Sequence, residues 1–236
     1  MSGRRPSYDL RRCSLQSVRH LFELHHGYGG CGNTSTACFA VYEDDAPVAA
    51  FTWQPPPPGA ARSVCPEQPG SVLALSRMVA VPREARRLNH ISKPLRRQMR
   101  VMLDRTRWPV LVTYHDEGQG HTGHVYRCSG WQMTTRRKVP TYEAEGVRVS
   151  SYSAGRHNYA GKSRAFDTWI QRWEHWACER GQVAAFMAAG GWHRRRVPGK
   201  TWRNGSPMHE WTREPKITQR SLWSHLDQQC TAGEHT

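Results

Sequence analysis

The chain has 236 residues and a mass of 27.0 kDa, which fits one large domain or one domain with an appendage. It carries 34 Lys and Arg against 19 Asp and Glu, a formal net charge of +15, so we predict a polyanionic partner, with nucleic acid first and a generally basic surface as the alternative. The sequence has no apolar run near the roughly 18 residues of a membrane helix, so we expect no membrane span. No apolar segment follows its basic start, so we expect a cytoplasmic protein and not a secreted one. Its seven cysteines include no C-x-x-C pair, which argues against a disulfide framework and a zinc knuckle.

The first half of the chain predicts a helix followed by a β-hairpin. Residues 14–26 place apolar side chains at helical spacing behind Ser14, which suits an N-cap. The runs CFAVYED and PVAAFTW meet around Asp44 and Asp45 and predict two largely buried strands. From Pro55 to Gly70 the sequence is rich in Pro, Gly and Ala without any period, so we expect an exposed loop.

The middle of the chain alternates strand and helix patterns. We predict a strand over 72–81, a basic connector REARRLNH and a helix from Ser92 with one apolar and one cationic face. A second strand over 109–116 leads into a polar loop, a short helix within 121–128 and two further strands. Because strand, helix and strand alternate, we expect an α/β sandwich whose mixed sheet pairs 72–81 and 109–116 in parallel.

The C-terminal third is expected to add a helix and a tail to a domain over residues 1–160. Asp167 suits the N-cap of a helix over 168–189 within the segment 161–191, which carries Trp169, Trp173 and Trp176. Residues 192–236 mix Arg, Lys and Trp with turn residues and show no period, so we expect an extended or weakly ordered basic tail.

Three segments contain side chains that could carry chemistry. The segment 113–131 offers a general base, proton carriers and metal ligands in Asp116 and its neighbouring His and Tyr residues, although a polar surface loop would look similar. The segment 25–32, HHGYGGCG, holds possible metal ligands, but His25 and His26 also suit a helix C-terminus. The arginines of 83–92 could form an anion site at the start of the next helix, or simply a solvated face. Ligands of such sheets bind beyond the carboxyl ends of the central strands, where 83–90 and 113–121 would meet.

These segments resemble the Mom family of phage DNA-modification proteins, a divergent branch of the GNAT acetyltransferase fold. The resemblance covers roughly residues 15–150. It rests on motif positions that occur here in order: Leu75, Arg77, Asn89, Ser92, Tyr114, Asp116, Gly120, His121, Gly123, Tyr126 and Trp131. A His-Tyr element after the first helix matches His26 and Tyr28 imperfectly, because Gly27 intervenes. The resemblance implies a GNAT-like sandwich and conversion of adenine N6 in double-stranded DNA to a carbamoylmethyl-type group, which protects phage DNA from restriction inside the infected host.

The resemblance also implies roles for individual residues. Asp116 would be a base or metal ligand, His26 and Tyr126 metal ligands or acid/base partners, and Tyr28 a further catalytic residue, with iron as the expected metal. Arg77, Asn89 and Ser92 would orient an anionic cofactor or substrate, either acetyl-CoA or another small donor. The connector PREARRLNHIS lacks the glycines with which ordinary GNAT enzymes cradle CoA, which argues against a conventional acetyl-CoA site.

The basic residues supply the expected DNA contacts, and two other functions remain open. From the cationic helix and the tail we select Arg96, Arg97, Arg100, Arg194, Arg195 and Arg196. A conventional GNAT N-acetyltransferase acting on another amine would need saturable CoA binding. A DNA-binding protein without enzymatic activity would need only the charge and the Trp residues.

Overall fold

The protein is described by a computed structural model that covers residues 8–27, 30–88, 90–104, 107–149, 161–201 and 207–213. The chain divides between residues 183 and 184 into two compact units. Among the described residues, no helix combines the length and the apolar character that a membrane crossing requires.

The described part of the first unit contains one mixed sheet and four α-helices. The strands are β1 (Asp9–Arg12), β2 (Ala37–Glu43), β3 (Ala46–Gln54), β4 (Val72–Ala80), β5 (Val110–Asp116), β6 (Gln132–Ala144), β7 (Val147–Val149) and β8 (Ser163–Trp176). The helices are α1 (Leu15–His25), α2 (Pro58–Val64), α3 (Ser92–Asp104) and α4 (His124–Cys128). The order of strands across the sheet is β1-β2-β3-β4-β5-β8-β6-β7.

The parallel pairing at the centre of the sheet confirms the predicted strand-helix-strand unit. Val72–Ala74 of β4 pair with Val110–Val112 of β5, whereas the other described strand pairs are antiparallel. The described ladder stops there, and the hydroxyl of Thr113 donates to the carbonyl of Leu75 at 3.1 Å. The carboxyl ends of the two strands therefore lie beyond their shared ladder.

Helices pack on both faces of the sheet, as a sandwich requires. Successive residues of a strand point to opposite faces. Accordingly, Phe39 and Phe51 belong to a core cluster with Leu95 and Met99 of α3, while Ala40 belongs to a second cluster with Val18, Leu21 and Phe22 of α1. The mixed α/β class predicted from the sequence is thus confirmed.

Several predicted elements form for the predicted local reasons. The Ser14 hydroxyl accepts the N–H of Ser17 at 3.2 Å and caps α1. Asp44 and Asp45 have φ angles of 48° and 61°, the positive values that a two-residue hairpin turn needs. In α3 the side chains of Leu95, Met99 and Met102 are buried, and the cationic ones, Lys93, Arg96, Arg97 and Arg100, are exposed.

The predicted exposed loop over 55–70 is wrong in part. Pro58–Val64 form α2, and Ala61 and Val64 are buried in it. Proline is favoured in the first turn of a helix because its missing N–H has no intrahelical partner there. A Pro-rich segment can therefore begin a helix as well as end one.

The predicted helix over 168–189 is also wrong, and with it the domain boundary at residue 160. Residues 163–176 form β8, which pairs with β5 on one side and β6 on the other, and only Val183–Ala189 are helical, as α5. The helical spacing of the tryptophans is outweighed by tertiary pairing along both edges of the strand. The sheet of the first unit therefore includes residues that the sequence assigned to a separate appendage.

In the second unit, part of the predicted extended or weakly ordered tail is a β-hairpin, whose register shifts between Pro207 and His209. Strand β9 (Trp192–Thr201) pairs antiparallel with β10 (Pro207–Arg213). The prediction is therefore wrong for these residues. Its remaining positions, 202–206 and 214–236, lie outside the described residues.

Candidate functional site

A cavity of about 320 Å³ lies between the start of α3 and the loop that follows β5. Its lining consists of His90, Ile91 and Ser92 together with residues 120–126. Gly120 and Gly123 have φ angles of 75° and 69°, which other residues adopt only at a cost, and so let this loop turn. The connectors that follow the two parallel strands thus meet at one cavity.

A buried carboxylate holds the connector that leads into this cavity. Glu43 at the end of β2 is 7% exposed and accepts the backbone N–H groups of Arg87 at 2.7 Å and Leu88 at 2.5 Å. Hydrogen bonds to an ionised acceptor are among the stronger ones in proteins. They fix the chain just before His90 and Ser92.

His115 occupies a buried aromatic stack behind the cavity. Its ring lies 5.9 Å from that of Tyr126 and 6.0 Å from that of Trp173, both in stacked orientations. The indole N–H of Trp173 donates to His115 Nδ1 at 2.9 Å. Because Nδ1 accepts this bond, the ring carries its proton on Nε2, and burial, which lowers the pKa of His115, favours the same neutral form.

The backbone of the cavity loop closes directly over this histidine. A Cβ atom added at Gly123 would lie 2.9 Å from Cε1 of His115 and even closer to the Trp173 ring. Nε2 of His115 is buried and has no hydrogen-bond partner among the described residues. In the sequence, His115 is one of several histidines of the segment 113–131, and its partner Trp173 falls in the predicted helix over 168–189. No local signal therefore joins the pair.

Asp116 is buried and orients the turn that begins the cavity loop. Its Oδ1 accepts the N–H of Gly118 at 2.8 Å and the hydroxyl of Thr168, which belongs to β8. It thereby caps the 3-10 turn Glu117–Gln119. Asp116 is 6% exposed, so any charge it carries lies out of bulk water. Thr168 was not recognised from the sequence because it was placed in the wrong element.

Two predicted site residues, Tyr126 and His26, have strongly shifted pKa values. Burial raises the pKa of Tyr126 to about 12, so its phenol keeps its proton, although the neighbouring Thr113 side chain acts in the opposite direction. Burial lowers the pKa of His26 to about 4, and the charges of Arg77 and His121 add to this effect. The end of α1, the middle of β4 and the cavity loop therefore lie close together here.

The placement of the remaining predicted residues is mixed. Ser92 lies on the cavity, and Arg77 lies beside His26. Tyr28 and Asn89 fall outside the described residues. The proposed DNA contacts are exposed arginines in two separate places, Arg96, Arg97 and Arg100 on α3 and Arg194, Arg195 and Arg196 on β9.

The predicted iron site is not supported by the arrangement of donors. In the described ranges, no three His, Cys, Asp or Glu side chains lie close enough together to hold a metal ion. Two of the three predicted ligands are poorly disposed to bind a metal ion. Asp116 accepts hydrogen bonds from Gly118 and Thr168, and Tyr126 is a buried, protonated phenol. His115 is poorly suited as a substitute, since its Nδ1 accepts from Trp173 and its Nε2 carries the proton.

Residues 7–185 match the sequence profile of the Mom protein family. The chain belongs to this family. The match includes every residue of the cavity lining and ends before the hairpin of the second unit. No curated protein matches this Mom-family chain in sequence.

Solved structures similar to this Mom-family protein are acetyltransferases at low identity. An N-acetyltransferase from Staphylococcus aureus Mu50 is 10% identical with a TM-score of 0.46, over 73% of this chain and 99% of that one. The ribosomal-protein-S18-alanine N-acetyltransferase from Escherichia coli is 11% identical with a TM-score of 0.44, over 70% and 92%. A GNAT family acetyltransferase from Elizabethkingia anophelis with acetyl-CoA bound is 11% identical with a TM-score of 0.40, over 70% and 96%.

Gly123→Ala should destabilise this Mom-family protein more than Gly130→Ala. Both glycines have positive φ, which costs a non-glycine residue about 1 to 2 kcal/mol. Only at Gly123 would the new methyl meet His115 and Trp173, whereas nothing lies within 4 Å at Gly130, so we expect a further loss of about 1 to 3 kcal/mol. Urea unfolding of both variants measures the difference. Equal losses would show that the cavity loop does not press on the His115 stack.

The free energy of unfolding should fall as the pH drops from about 6.5 towards about 4. In this range His26 binds a proton in the unfolded chain but not in the folded protein. A pKa lowered in the folded state means that the unfolded chain binds more protons there, so acid favours unfolding. The contribution of His26 amounts to at most about 3 kcal/mol. His26→Gln should flatten the pH dependence of the unfolding free energy, with exposed His25→Gln as its control. An unchanged pH dependence in His26→Gln would contradict the lowered pKa of this half-buried imidazole.

Proposed function

We propose that this protein is an enzyme that modifies the N6 amine of adenine in double-stranded DNA, adding a carbamoylmethyl-type group that protects the DNA from restriction nucleases in the cytoplasm of an infected bacterium. The observation that carries the proposal is the position of the cavity. Its lining contains Ser92 and the segment 120–126, where the resemblance to DNA-modification proteins is densest, and it lies inside the family match.

The size and chemistry of the cavity suit one extruded base. Its volume of about 320 Å³ is in the range of pockets that hold small ligands. Stacked adenine hides N6 from a pocket of this kind, so the base has to leave the helix. His90, Ser92, His121 and Tyr126 offer hydrogen-bonding groups around the space, and the aromatic stack of His115, Tyr126 and Trp173 lies directly behind it.

We assign chemical roles to side chains of β4 and β5, the two strands whose following connectors line the cavity, because transfer to a weak nucleophile needs them. The N6 lone pair is delocalised into the adenine ring, so a base must take up a proton as the new N–C bond forms and the leaving group departs from a small donor. We assign the base to Asp116, because the bonds from Gly118 and Thr168 hold its carboxylate in one orientation at the end of β5. Arg77 would orient an anionic part of the donor.

The exposed arginines of α3 are proposed to hold the DNA backbone near this unit. Arg96, Arg97 and Arg100 lie on the outer face of the helix that begins at the cavity with Ser92. Arg96 donates to the carbonyl of Cys128 and Arg97 lies 6.0 Å from the Tyr8 ring, so both side chains are partly oriented. Guanidinium groups held in this way bind phosphate oxygens well.

The proposal is tested by mass spectrometry of nucleosides from the DNA of cells that express the protein. We expect a modified adenosine with wild type and at least about a hundredfold less with Asp116→Asn, the scale for loss of a general base. Asn keeps an oxygen that accepts from Gly118 and Thr168, so thermal unfolding of Asp116→Asn should stay near wild type, whereas Asp116→Ala should unfold at a lower temperature.

The two variants separate catalysis from support of the turn. Wild-type levels of modification in a folded Asp116→Asn protein would show that Asp116 only caps the turn. If wild type yields no modified adenosine but binds DNA, the protein is a DNA-binding protein. Saturable CoA binding together with acetylation of another amine would instead identify a conventional acetyltransferase.

A further inference from the structure

The β-hairpin of the second unit has two faces of different charge. In an antiparallel pair, residues directly opposite each other point to the same face, and alternate residues along a strand point to opposite faces. The register pairs Trp192 with Arg213, Arg194 with Trp211 and Arg196 with His209, so these six residues share one face, which we call the Arg/Trp face. It carries three arginines and no carboxylate.

The opposite face has its charge neutralised. There the register pairs Arg195 with Glu210 and His193 with Thr212. The Arg195 guanidinium lies 3.6 Å from the Glu210 carboxylate, and the His193 ring hydrogen-bonds with the Thr212 hydroxyl at 2.8 Å. The three consecutive arginines of β9 therefore do not form one basic patch, because Arg195 points away from its neighbours and is ion-paired.

We propose that the Arg/Trp face binds the phosphate backbone of double-stranded DNA. This inference rests on the proposed function, which makes duplex DNA the substrate, and adds a contact surface outside the part of the chain that matches the family. A two-stranded ribbon is narrow enough to enter the major groove. Arg194 and Arg196 are separated by about 6.8 Å along an extended strand, which equals the rise of about two nucleotides along one DNA strand.

The local contacts on this face favour phosphate binding over base stacking. The Arg213 guanidinium lies over the Trp192 ring at 5.7 Å and donates to the carbonyl of Gly190 at 3.1 Å, so one ring face is already covered. Trp192 and Trp211 are only partly exposed, while Arg194 and Arg196 are exposed. Arg194 donates to Nδ1 of His209 at 3.3 Å, which orients its guanidinium on the surface. Oriented, solvent-facing guanidinium groups suit phosphate oxygens.

Because adjacent residues of β9 point to opposite faces, single variants at adjacent positions test the proposal. Three variants of the full chain each remove one positive charge: Arg194→Gln, Arg195→Gln and Arg196→Gln. Binding to a fluorescein-labelled DNA duplex of mixed sequence is followed by anisotropy over a series of salt concentrations. Each phosphate contact contributes about 0.9 to the slope of log affinity against log salt. We expect Arg194→Gln and Arg196→Gln each to reduce that slope by about one, and Arg195→Gln to leave it unchanged.

Several results would overturn the inference. An Arg195→Gln effect as large as that of its neighbours would show that overall charge, and not the face, decides binding. Wild-type slopes in all three variants would remove the hairpin from the DNA contact. Tighter binding of wild type to a single strand of the same sequence than to the duplex would show that the occupant is not duplex DNA.

Nucleoside analysis separates failure of this surface from failure of the proposed function. If wild type makes no modified adenosine but the slopes change as expected, the Arg/Trp face stands and the proposed reaction is wrong. If wild type modifies adenosine and the slopes of all three variants match wild type, the reaction stands and the surface is wrong.

Discussion

The candidate site depends on the pairing of β8 with β5. Thr168 bonds to Asp116, whose directly opposite residue in the register is Ile170, two positions further along β8. Trp173 lies directly opposite Thr113 and bonds to His115, two positions further along β5. Such diagonal neighbours are within reach of each other across a strand pair. Through these two hydrogen bonds, one strand orients both the carboxylate and the imidazole that close β5.

This pairing has an energetic consequence for the groups it holds. Asp116, His115 and Tyr126 are all buried, and burial disfavours the charged form of an imidazole or a phenol unless a partner compensates. Burial lowers the pKa of His115 and raises that of Tyr126 to about 12, so it favours the neutral form of both rings. Asp116 instead accepts two donors, which is the environment a carboxylate requires. The fold thus separates two neutral rings from one acidic group within a few residues.

The two units contribute different kinds of surface. The first unit contains the family match except for its last two residues, and a cavity whose lining is drawn from loops and a helix start. The second unit contains a hairpin whose charge is sorted by the alternation of a β-strand and by one cross-strand ion pair. Concave, partly apolar space suits a base, and an exposed row of guanidinium groups suits a polyanion. The proposed division of labour follows from these two chemistries.

The sequence alone determined the elements whose signals are local. The Ser14 cap, the Asp44–Asp45 turn and the two faces of α3 each depend on a few neighbouring residues, and all three form as predicted. The parallel pairing of β4 with β5 also followed, because strand, helix and strand alternation permits few topologies. The position of Asp116 at the end of β5 and the match to the Mom family were readable for the same reason, since they rest on residues close together in the chain.

Only the tertiary structure decided the identity of β8 and the charge pattern of the hairpin. The tryptophans at 169, 173 and 176 fit a helical period, but the segment gains ladder hydrogen bonds on both edges when it inserts between β5 and β6. Thr168 and Trp173, the β8 partners of Asp116 and His115, are therefore more than 50 residues distant in sequence and left no local signal. Likewise, the run Arg194–Arg196 reads as one basic patch, and its division between two faces became visible only once β10 fixed the register. Long-range pairing determines these features because it adds interactions that no short stretch of sequence contains.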